Sequence, residues 1–174
     1  MSEFRRVFDA LDAMGIAYDA IEHEPAAHID RCMEVMEGLN ATVVKNFFLC
    51  PRNRSRFYLL LTRPEAKLRT SDISAQAGAS RLGFAPEDRL AELLHEQPGA
   101  ISPMGLIFDA GHAVTVLVDE ALRCAARLAF HPCDNTRSLA MSGADFFDVF
   151  LKQLGYAPVF VTIHDFLEPK EENP

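Results

Sequence analysis

The sequence contains no closely spaced pair of cysteines and no metal-binding histidine pattern. Its four cysteines are scattered along the chain: Cys32, Cys50, Cys124 and Cys133. Zinc ribbons need close-spaced pairs, so this spacing argues against a structural zinc site and favours free thiols. The six histidines include no HExxH pattern, although distant ligands can converge in a folded chain. We therefore predict neither a metal nor an organic cofactor.

The chain also lacks a long apolar stretch. A membrane-spanning helix needs about 20 consecutive apolar residues, and no segment approaches that length. Residues 1–6 lead directly into an amphipathic helical pattern, without the apolar core and cleavage site of a signal peptide. We expect a cytoplasmic protein that has no membrane partner.

Positive charge is scarce as well: the 17 lysines and arginines are outnumbered by 25 aspartates and glutamates, which gives a formal net charge of −8. Broad, non-specific binding to nucleic acid depends on many lysines and arginines, so we expect no DNA partner. The basic residues are concentrated in one part of the chain, namely Arg52, Arg54, Arg56, Arg63, Lys67, Arg69 and Arg81. This group can be a solvated polar face, or it can form a local pocket for the end of a nucleic acid.

The composition is that of a soluble globular domain. Of the 174 residues, 49% are hydrophobic and 24% are charged, so the chain can bury a substantial core. We predict a single domain over residues 1–174, with its core over about 16–165 and a charged C-terminal tail over 166–174.

Helical and strand-like segments are interspersed along the chain. Apolar residues at helical spacing predict helices over 4–14, 31–39, 71–78, 87–95 and 146–154. Apolar runs between turn residues predict strands over 16–21, 42–50, 57–62, 114–118, 128–131 and 159–163, and a short strand within 78–84. This mixture predicts an α+β fold with a mixed, largely antiparallel sheet flanked by helices.

Lys45 is the most informative single residue, because it interrupts an apolar, strand-like run over 42–49. Burial disfavours an ammonium, so a lysine in such a run needs an anionic partner, an open cleft or a chemical role. Alternatively, it lies on the solvent face of an edge strand, where lysines prevent unwanted strand pairing. The run alone favours the second interpretation.

Two later segments, 99–106 and 130–136, also place polar groups among apolar ones. Together with Lys45 they resemble the YbaK/prolyl-tRNA-synthetase-associated editing domain family, and within it the free-standing prolyl-tRNA editing branch. The resemblance is carried in order by Val44-Lys45-Asn46-Phe47-Phe48-Leu49, by Gly78-Ala79-Ser80-Arg81-Leu82-Gly83-Phe84-Ala85, by Gly99-Ala100-Ile101-Ser102-Pro103-Met104-Gly105-Leu106, and by Phe130-His131-Pro132 with Asn135-Thr136. It extends from about residue 21 to residue 163, which is most of the chain.

The resemblance implies the YbaK-type editing fold and a hydrolase that removes a wrong amino acid from tRNA-Pro. The pair Lys45-Asn46 is similar to the alanine-specific branch, so Ala-tRNA-Pro is the expected substrate. A site that admits alanine and excludes the larger proline completes a double sieve. The expected partners are the acceptor end of tRNA-Pro and either prolyl-tRNA synthetase or an elongation factor, because no synthetase segment accompanies the domain.

The resemblance also implies the site residues. The expected catalytic residues are Lys45, Gly99, Ser102 and Gly105. The expected substrate-binding residues are Asn46, Arg81, Pro103, Met104, His131, Asn135 and Thr136. Lys45 would clamp a phosphate of the terminal adenosine or act on the attacking water. The loop over 99–103 would offer backbone N–H groups to an oxyanion, and Ser102 and Gly105 would then line the pocket.

Several alternatives remain open at the level of the sequence. His131 can be a satisfied structural histidine, and Arg81 can form a surface salt bridge. Ser102 lies in no GxSxG elbow, so we do not expect a covalent serine nucleophile. The protein can instead act on a tRNA that carries serine, threonine or cysteine, or it can be a binding module that uses the same fold without hydrolysis.

Overall fold

The strands form two β-sheets in the computed structural model of the protein, which describes residues 1–164. The five-stranded sheet has the order β5-β3-β4-β6-β9, with β3 Lys45–Pro51, β4 Phe57–Thr62, β5 Leu82–Phe84, β6 Val114–Asp119 and β9 Val159–Val161. The four-stranded sheet has the order β1-β8-β7-β2, with β1 Tyr18–Glu22, β2 Thr42–Val43, β7 Arg127–Phe130 and β8 Arg137–Ser142. Both sheets are mixed: four pairings are antiparallel, and β2–β7, β4–β6 and β6–β9 are parallel.

Helices cover the sheets and connect their strands. They are α1 Glu3–Ala13, α2 Ile29–Met36, α3 Thr70–Gln76 and α4 Glu87–Leu94, followed by a π-helical segment Asp145–Leu151 that continues into α5 Lys152–Leu154. Short 3₁₀ helices span Glu37–Leu39, Pro103–Phe108 and Glu120–Leu122. These elements confirm the predicted α+β class, and no helix within residues 1–164 is long and apolar enough to cross a membrane.

Strand β4 lies at the centre of the five-stranded sheet and is buried along its whole length. Successive side chains of a strand point to opposite faces. Leu59 and Leu61 accordingly join the main core, whereas Tyr58 and Leu60 pack with Ile73 of α3 on the other face. A strand that is buried on both faces has a continuous apolar sequence. The predicted bounds of this strand, 57–62, match the structure.

Helix α1 belongs to the core as well, because Val7 and Leu11 are fully buried in the main cluster. Both residues precede position 16, at which the core was expected to begin. The predicted tail over 166–174 lies outside the described residues.

The predicted strand over 42–50 is in fact two strands that belong to different sheets. β2 pairs with β7 in the four-stranded sheet, and β3 pairs with β4 and β5 in the other sheet. Val44 lies between them and donates its N–H to the carbonyl of Ala129 at 3.2 Å. The crossing places Lys45 and Asn46 at the junction of the two sheets.

Candidate active site

A pocket of about 510 Å³ opens at this junction, between the start of β3 and the start of α2. Four of the predicted site residues lie in its wall: Lys45, Asn46, Gly99 and His131. The other lining residues are Ala27, His28, Ile29, Asp30, Cys32, Val44 and Ile101. The four predicted residues are separated by up to 86 positions in the sequence. The fold brings them together because Lys45 begins β3 of one sheet and His131 directly follows β7 of the other.

Lys45 is the first residue of β3 and is half-buried. Its ammonium nitrogen lies 5.2 Å from the centroid of the Phe47 ring, and it forms no ion pair with a carboxylate within residues 1–164. Strand β5 pairs only with residues 49–51 of β3, so it leaves the strand edge beside Lys45 uncovered. The edge therefore borders a pocket large enough for a ligand, and Lys45 lines it together with the carboxylate residue Asp30 but without an ion pair to it.

Asn46 lines the same pocket and has an unsatisfied acceptor. Its side-chain Nδ2 donates to the carbonyl of Val44 at 3.2 Å, whereas its Oδ1 is buried and has no hydrogen-bond partner among the described residues. Buried polar atoms are rarely left unpaired, since each one costs about 1–3 kcal/mol. Consecutive residues of a regular strand point apart, but β3 begins at Lys45, so both side chains can line one pocket.

The loop over 97–101 separates this pocket from a second cavity of similar volume. Gly99 and Ile101 line the pocket, whereas Gln97, Pro98 and Ala100 line the second cavity. Ala100 donates its N–H to the carbonyl of Gln97 at 3.0 Å. The N–H groups of Gly99 and Ile101 have no acceptor within residues 1–164. Two backbone donors at the pocket wall are thus available to a ligand.

Gly99 is required by the geometry of this loop. Its φ is +85°, which side-chain-bearing residues rarely adopt, and a Cβ built on it would lie 2.8 Å from the Cβ of Ala27. Ala27 itself lines the pocket. The absence of a side chain at residue 99 therefore lets the loop lie against the segment that precedes α2.

Four predicted residues lie beneath the pocket rather than in its wall, namely Ser102, Pro103, Met104 and Gly105. Ser102 and Gly105, which we expected to line the pocket, are not among its lining residues. The chain turns inward at Ser102, whose Oγ accepts the N–H of Met104 at 3.1 Å and so caps the 3₁₀ helix Pro103–Phe108. The first four residues of this helix are buried, and none of its residues lines the pocket.

His131 is 6% exposed and is held by protein atoms on both ring nitrogens. Nδ1 lies 2.8 Å from the carbonyl of Arg137 and so donates its proton there, which leaves Nε2 to accept from the Cys32 thiol at 3.3 Å. Burial lowers the pKa of His131, so the neutral ring is favoured. His131 can therefore line the pocket and also be a structural histidine whose hydrogen bonds are satisfied.

Asn135 and Thr136 lie on the side of loop 97–101 that faces away from the pocket. Asn135 lines the second cavity, and its carbonyl accepts the N–H of Ala26 at 2.9 Å. The Thr136 hydroxyl donates to Asp134 at 2.6 Å. Both residues support the segment that precedes α2, and neither lines the pocket that contains Lys45.

Arg81 lies at the opposite end of β3 from Lys45. With Arg52 and Arg54 it lines a separate pocket of about 450 Å³, beside Phe84, whose side chain is 73% exposed. A seven-residue strand separates the two sites by about 20 Å. None of these three guanidinium groups has a carboxylate partner within residues 1–164. The structure therefore contains no salt bridge of the kind considered for Arg81.

Sequence reasoning missed Glu96, a carboxylate that is 1% exposed in the wall of the second cavity. Its Oε2 accepts the N–H of Ser102 at 3.1 Å, and its Oε1 lies 3.5 Å from the Cys133 thiol. Burial raises the pKa of Glu96 well above its ordinary value. Burial, together with the neighbouring Glu96, also raises the pKa of Cys133, which opposes a role for this thiol as a nucleophile. The local sequence, a polar stretch after a helix, does not distinguish Glu96 from a surface residue.

The sequence model of the aminoacyl-tRNA editing domain matches residues 23–149, and this range contains the whole pocket wall. The chain belongs to the aminoacyl-tRNA editing domain family. It is 33% identical over 146 residues to the prolyl-tRNA editing protein ProX of Acetoanaerobium sticklandii, a match that covers 83% of this chain and 88% of ProX. These matches confirm the family resemblance of the sequence.

Two further comparisons agree with this assignment. The chain is 27% identical to the prolyl-tRNA synthetase associated domain-containing protein 1 of Mus musculus, over 87% of this chain and 90% of that protein. A solved structure that is provisionally described as a trans-editing enzyme for prolyl tRNA synthetase superposes with a TM-score of 0.72 and 16% identity, over 95% of this chain and 99% of the other. The structural likeness shows that the editing domain fold is shared.

Proposed function

We propose that this editing domain is a trans-acting hydrolase that removes alanine from mischarged tRNA-Pro. The observation that carries the proposal is the set of residues that line one pocket. Within residues 1–164, Lys45 has no ion-pair partner, Asn46 Oδ1 is an unpaired acceptor, and the backbone N–H groups of Gly99 and Ile101 have no acceptor. A relative that matches over most of its own length is named a prolyl-tRNA editing protein. We propose the same activity for this chain.

The reaction is hydrolysis of the ester that joins alanine to the terminal ribose. Water attacks the carbonyl carbon, the carbon–oxygen bond to the ribose breaks, and the products are free alanine and a tRNA with its ribose hydroxyl restored. The negative charge that develops on the carbonyl oxygen needs nearby donors, and the N–H groups of Gly99 and Ile101 can supply them. An activated ester held in position needs little further help, and the neighbouring ribose hydroxyl can assist the water.

Lys45 fits the role of a phosphate clamp better than that of a general base. A half-buried ammonium without a carboxylate partner is a point charge that suits a phosphate oxygen. The α-ammonium of the substrate would be repelled by a charged lysine beside the ester. Contact with the phosphate of the terminal adenosine keeps the two cations apart. Asn46 Oδ1 can then accept a hydrogen bond from the α-ammonium or from the ribose hydroxyl.

The selection of alanine over proline is a matter of size. The wall of the pocket contains the apolar side chains of Ile29, Val44 and Ile101 and the thiol of Cys32. Such a wall cannot strongly reject a smaller side chain, but it can exclude a larger ring by overlap. We propose that alanine is accepted and proline is excluded in this way.

The arginine pocket at the other end of β3 suits the backbone of the tRNA. Arg81, Arg52 and Arg54 are unpaired within residues 1–164, although the chain as a whole is acidic. A separation of about 20 Å from Lys45 is comparable with the reach of a short single-stranded 3′ end. We propose that the terminal nucleotide enters the Lys45 pocket while phosphates nearer the stem contact these arginines.

The test is the rate of deacylation of Ala-tRNA-Pro by the purified protein, with Pro-tRNA-Pro as the substrate control. We expect loss of alanine only, and near-complete loss of activity in Lys45→Ala. Lys152→Ala is the matched control, because Lys152 is an exposed lysine on α5. Full activity in a folded Lys45→Ala protein would exclude the clamp.

If Ala-tRNA-Pro is lost only at the spontaneous rate, the alanine assignment is wrong. The same assay is then applied to tRNAs that carry serine, threonine or cysteine. Binding of tRNA without hydrolysis of any of these would identify a non-catalytic module. Binding of prolyl-tRNA synthetase or an elongation factor is checked separately, by measuring whether either protein alters the deacylation rate.

A further inference from the structure

The loop that carries Gly99 and Ile101 is held by a hydrogen bond to one buried carboxylate, which lies on the side of the second cavity. Glu96 precedes the loop, and its Oε2 accepts the N–H of Ser102 immediately after it, at 3.1 Å. The bond therefore joins the two ends of the loop and closes it on itself. Both Glu96 and Ser102 are buried, and a buried donor left without its partner costs about 1–3 kcal/mol, so this closure resists opening.

The same carboxylate connects the loop to the segment that follows His131. Its Oε1 lies 3.5 Å from the Cys133 thiol, and Cys133 has a φ of +61°. Loop 97–101 and the strand end that carries His131 form two walls of the Lys45 pocket. One side chain in the second cavity thus holds both walls without entering the pocket.

Gly105 makes room for this arrangement. A Cβ built on Gly105 would lie 2.7 Å from Glu96 Oε1 and 2.6 Å from the carbonyl of Leu94. The carbonyl belongs to the last residue of helix α4, and a displacement of the Glu96 carboxyl group would disturb its bond to Ser102. Gly105 and Ser102 therefore matter to the site through Glu96 and not by contact with substrate.

We propose that Glu96 is a positioning residue that holds the backbone donors of loop 99–102 in their reactive geometry. The proposal rests on the proposed function, since the loop geometry affects a rate only if the pocket hydrolyses an ester. It assigns Glu96 no contact with the substrate. A displacement of about 1 Å in a catalytic group can cost about 100-fold in rate, so release of the loop lowers kcat while KM is largely unchanged.

The decisive variants are Glu96→Leu and Glu96→Gln. Leucine fills a similar volume but cannot accept the Ser102 N–H, whereas glutamine keeps an acceptor oxygen at the same reach. For Glu96→Leu we expect kcat to fall about 10- to 100-fold, with KM within about threefold of wild type. For Glu96→Gln we expect recovery of most of this loss. If Glu96→Leu does not fold, Glu96→Asp keeps a carboxyl group, withdraws the acceptor by one methylene, and is expected to lose kcat in the same way.

The matched control is Asp109→Asn, which alters a second buried carboxylate that does not line the pocket. Asp109 is 3% exposed and accepts the N–H groups of Ala113 and Val114 and the hydroxyl of Tyr156. We expect this variant to lose stability and to keep the kcat of its folded fraction. A fall in kcat as large as that of Glu96→Leu would overturn the positioning role, because the loss of any buried carboxylate would then be enough to lower kcat.

Amide hydrogen exchange of residues 99–105, measured on the full chain without substrate, gives a readout that is independent of activity. We expect faster exchange of this segment in Glu96→Leu and near-wild-type exchange in Glu96→Gln. Unchanged exchange in Glu96→Leu, or a kcat within about twofold of wild type, would overturn the proposal. A wild-type protein that deacylates nothing would overturn the proposed function instead, and exchange alone would then decide whether Glu96 holds the loop.

Discussion

Substitution of Gly99 by alanine tests whether the loop must lie against the segment that precedes α2. The new methyl group would start 2.8 Å from the Cβ of Ala27 and 3.3 Å from its Cα, whereas ordinary contact begins at 3.4 Å. Relief of the closer overlap, from 2.8 to 3.4 Å, needs a displacement of about 0.6 Å. A shift of this size in the proposed oxyanion donors is expected to lower kcat about tenfold or more.

The free energy of unfolding should fall for two separate reasons. An alanine at a φ of +85° is strained by about 1–2 kcal/mol, and the overlap adds about 1–3 kcal/mol. Gly78→Ala is the matched control, because Gly78 has a φ of +64° and an added Cβ would meet nothing within 4 Å. This control carries the backbone strain alone, so it should lose stability and keep full activity.

The assay combines thermal unfolding with deacylation kinetics well below the melting temperature. A domain of this size shifts by about 2–4 °C per kcal/mol, so the two glycine variants should be separable by their melting temperatures. The double variant Gly99→Ala with Ala27→Gly removes the closest overlap and should recover part of the lost kcat. If Gly99→Ala and Gly78→Ala show the same kcat, loop placement does not limit the reaction and the reasoning is refuted.

Two further predictions concern pH and salt. The pKa of His131 is lowered in the folded protein, so the unfolded chain binds a proton at higher pH, and stability is lost as pH falls below about 6.5. Denaturant unfolding at pH 7 and pH 5 should show a smaller loss of stability in His131→Asn than in wild type. An equal loss in both proteins would contradict the assignment. Arg81→Gln should weaken tRNA binding and reduce the salt slope of log K by about 0.7–0.9 for one lost phosphate contact, with kcat at saturation unchanged. Arg123→Gln, which removes an arginine paired with Glu120, should leave both quantities as in wild type.

Much of the secondary structure follows from local patterns. Apolar residues at helical spacing located α1 and α4 to within one residue at each end, and the buried run of β4 was bounded correctly. Strand β8 was missed, because Ser138 and Ala140 are small residues that do not mark a strand by their composition. Its buried side chains are recognisable only once β1 and β7 lie on either side of it.

The candidate site was predictable in part. Motifs in the order of the editing family identified Lys45, Asn46, Gly99 and His131, and the fold brings these four residues to one pocket. The same motifs did not distinguish residues that contact a ligand from residues that support them. Ser102 and Gly105 stand beside Gly99 in sequence, yet the inward turn of the 3₁₀ helix buries them.

The sequence by itself determined the α+β class, most element positions and the family, because these depend on hydrophobic period, turn residues and motif order. Only the tertiary structure decided that the run over 42–50 changes sheets at Val44, that Asn46 Oδ1 is left unpaired among the described residues, and that Glu96 joins the two ends of loop 97–101. The physical reason is that burial and hydrogen bonding of these groups depend on partners distant in sequence. A local pattern indicates which residues are buried but not which atoms cover them.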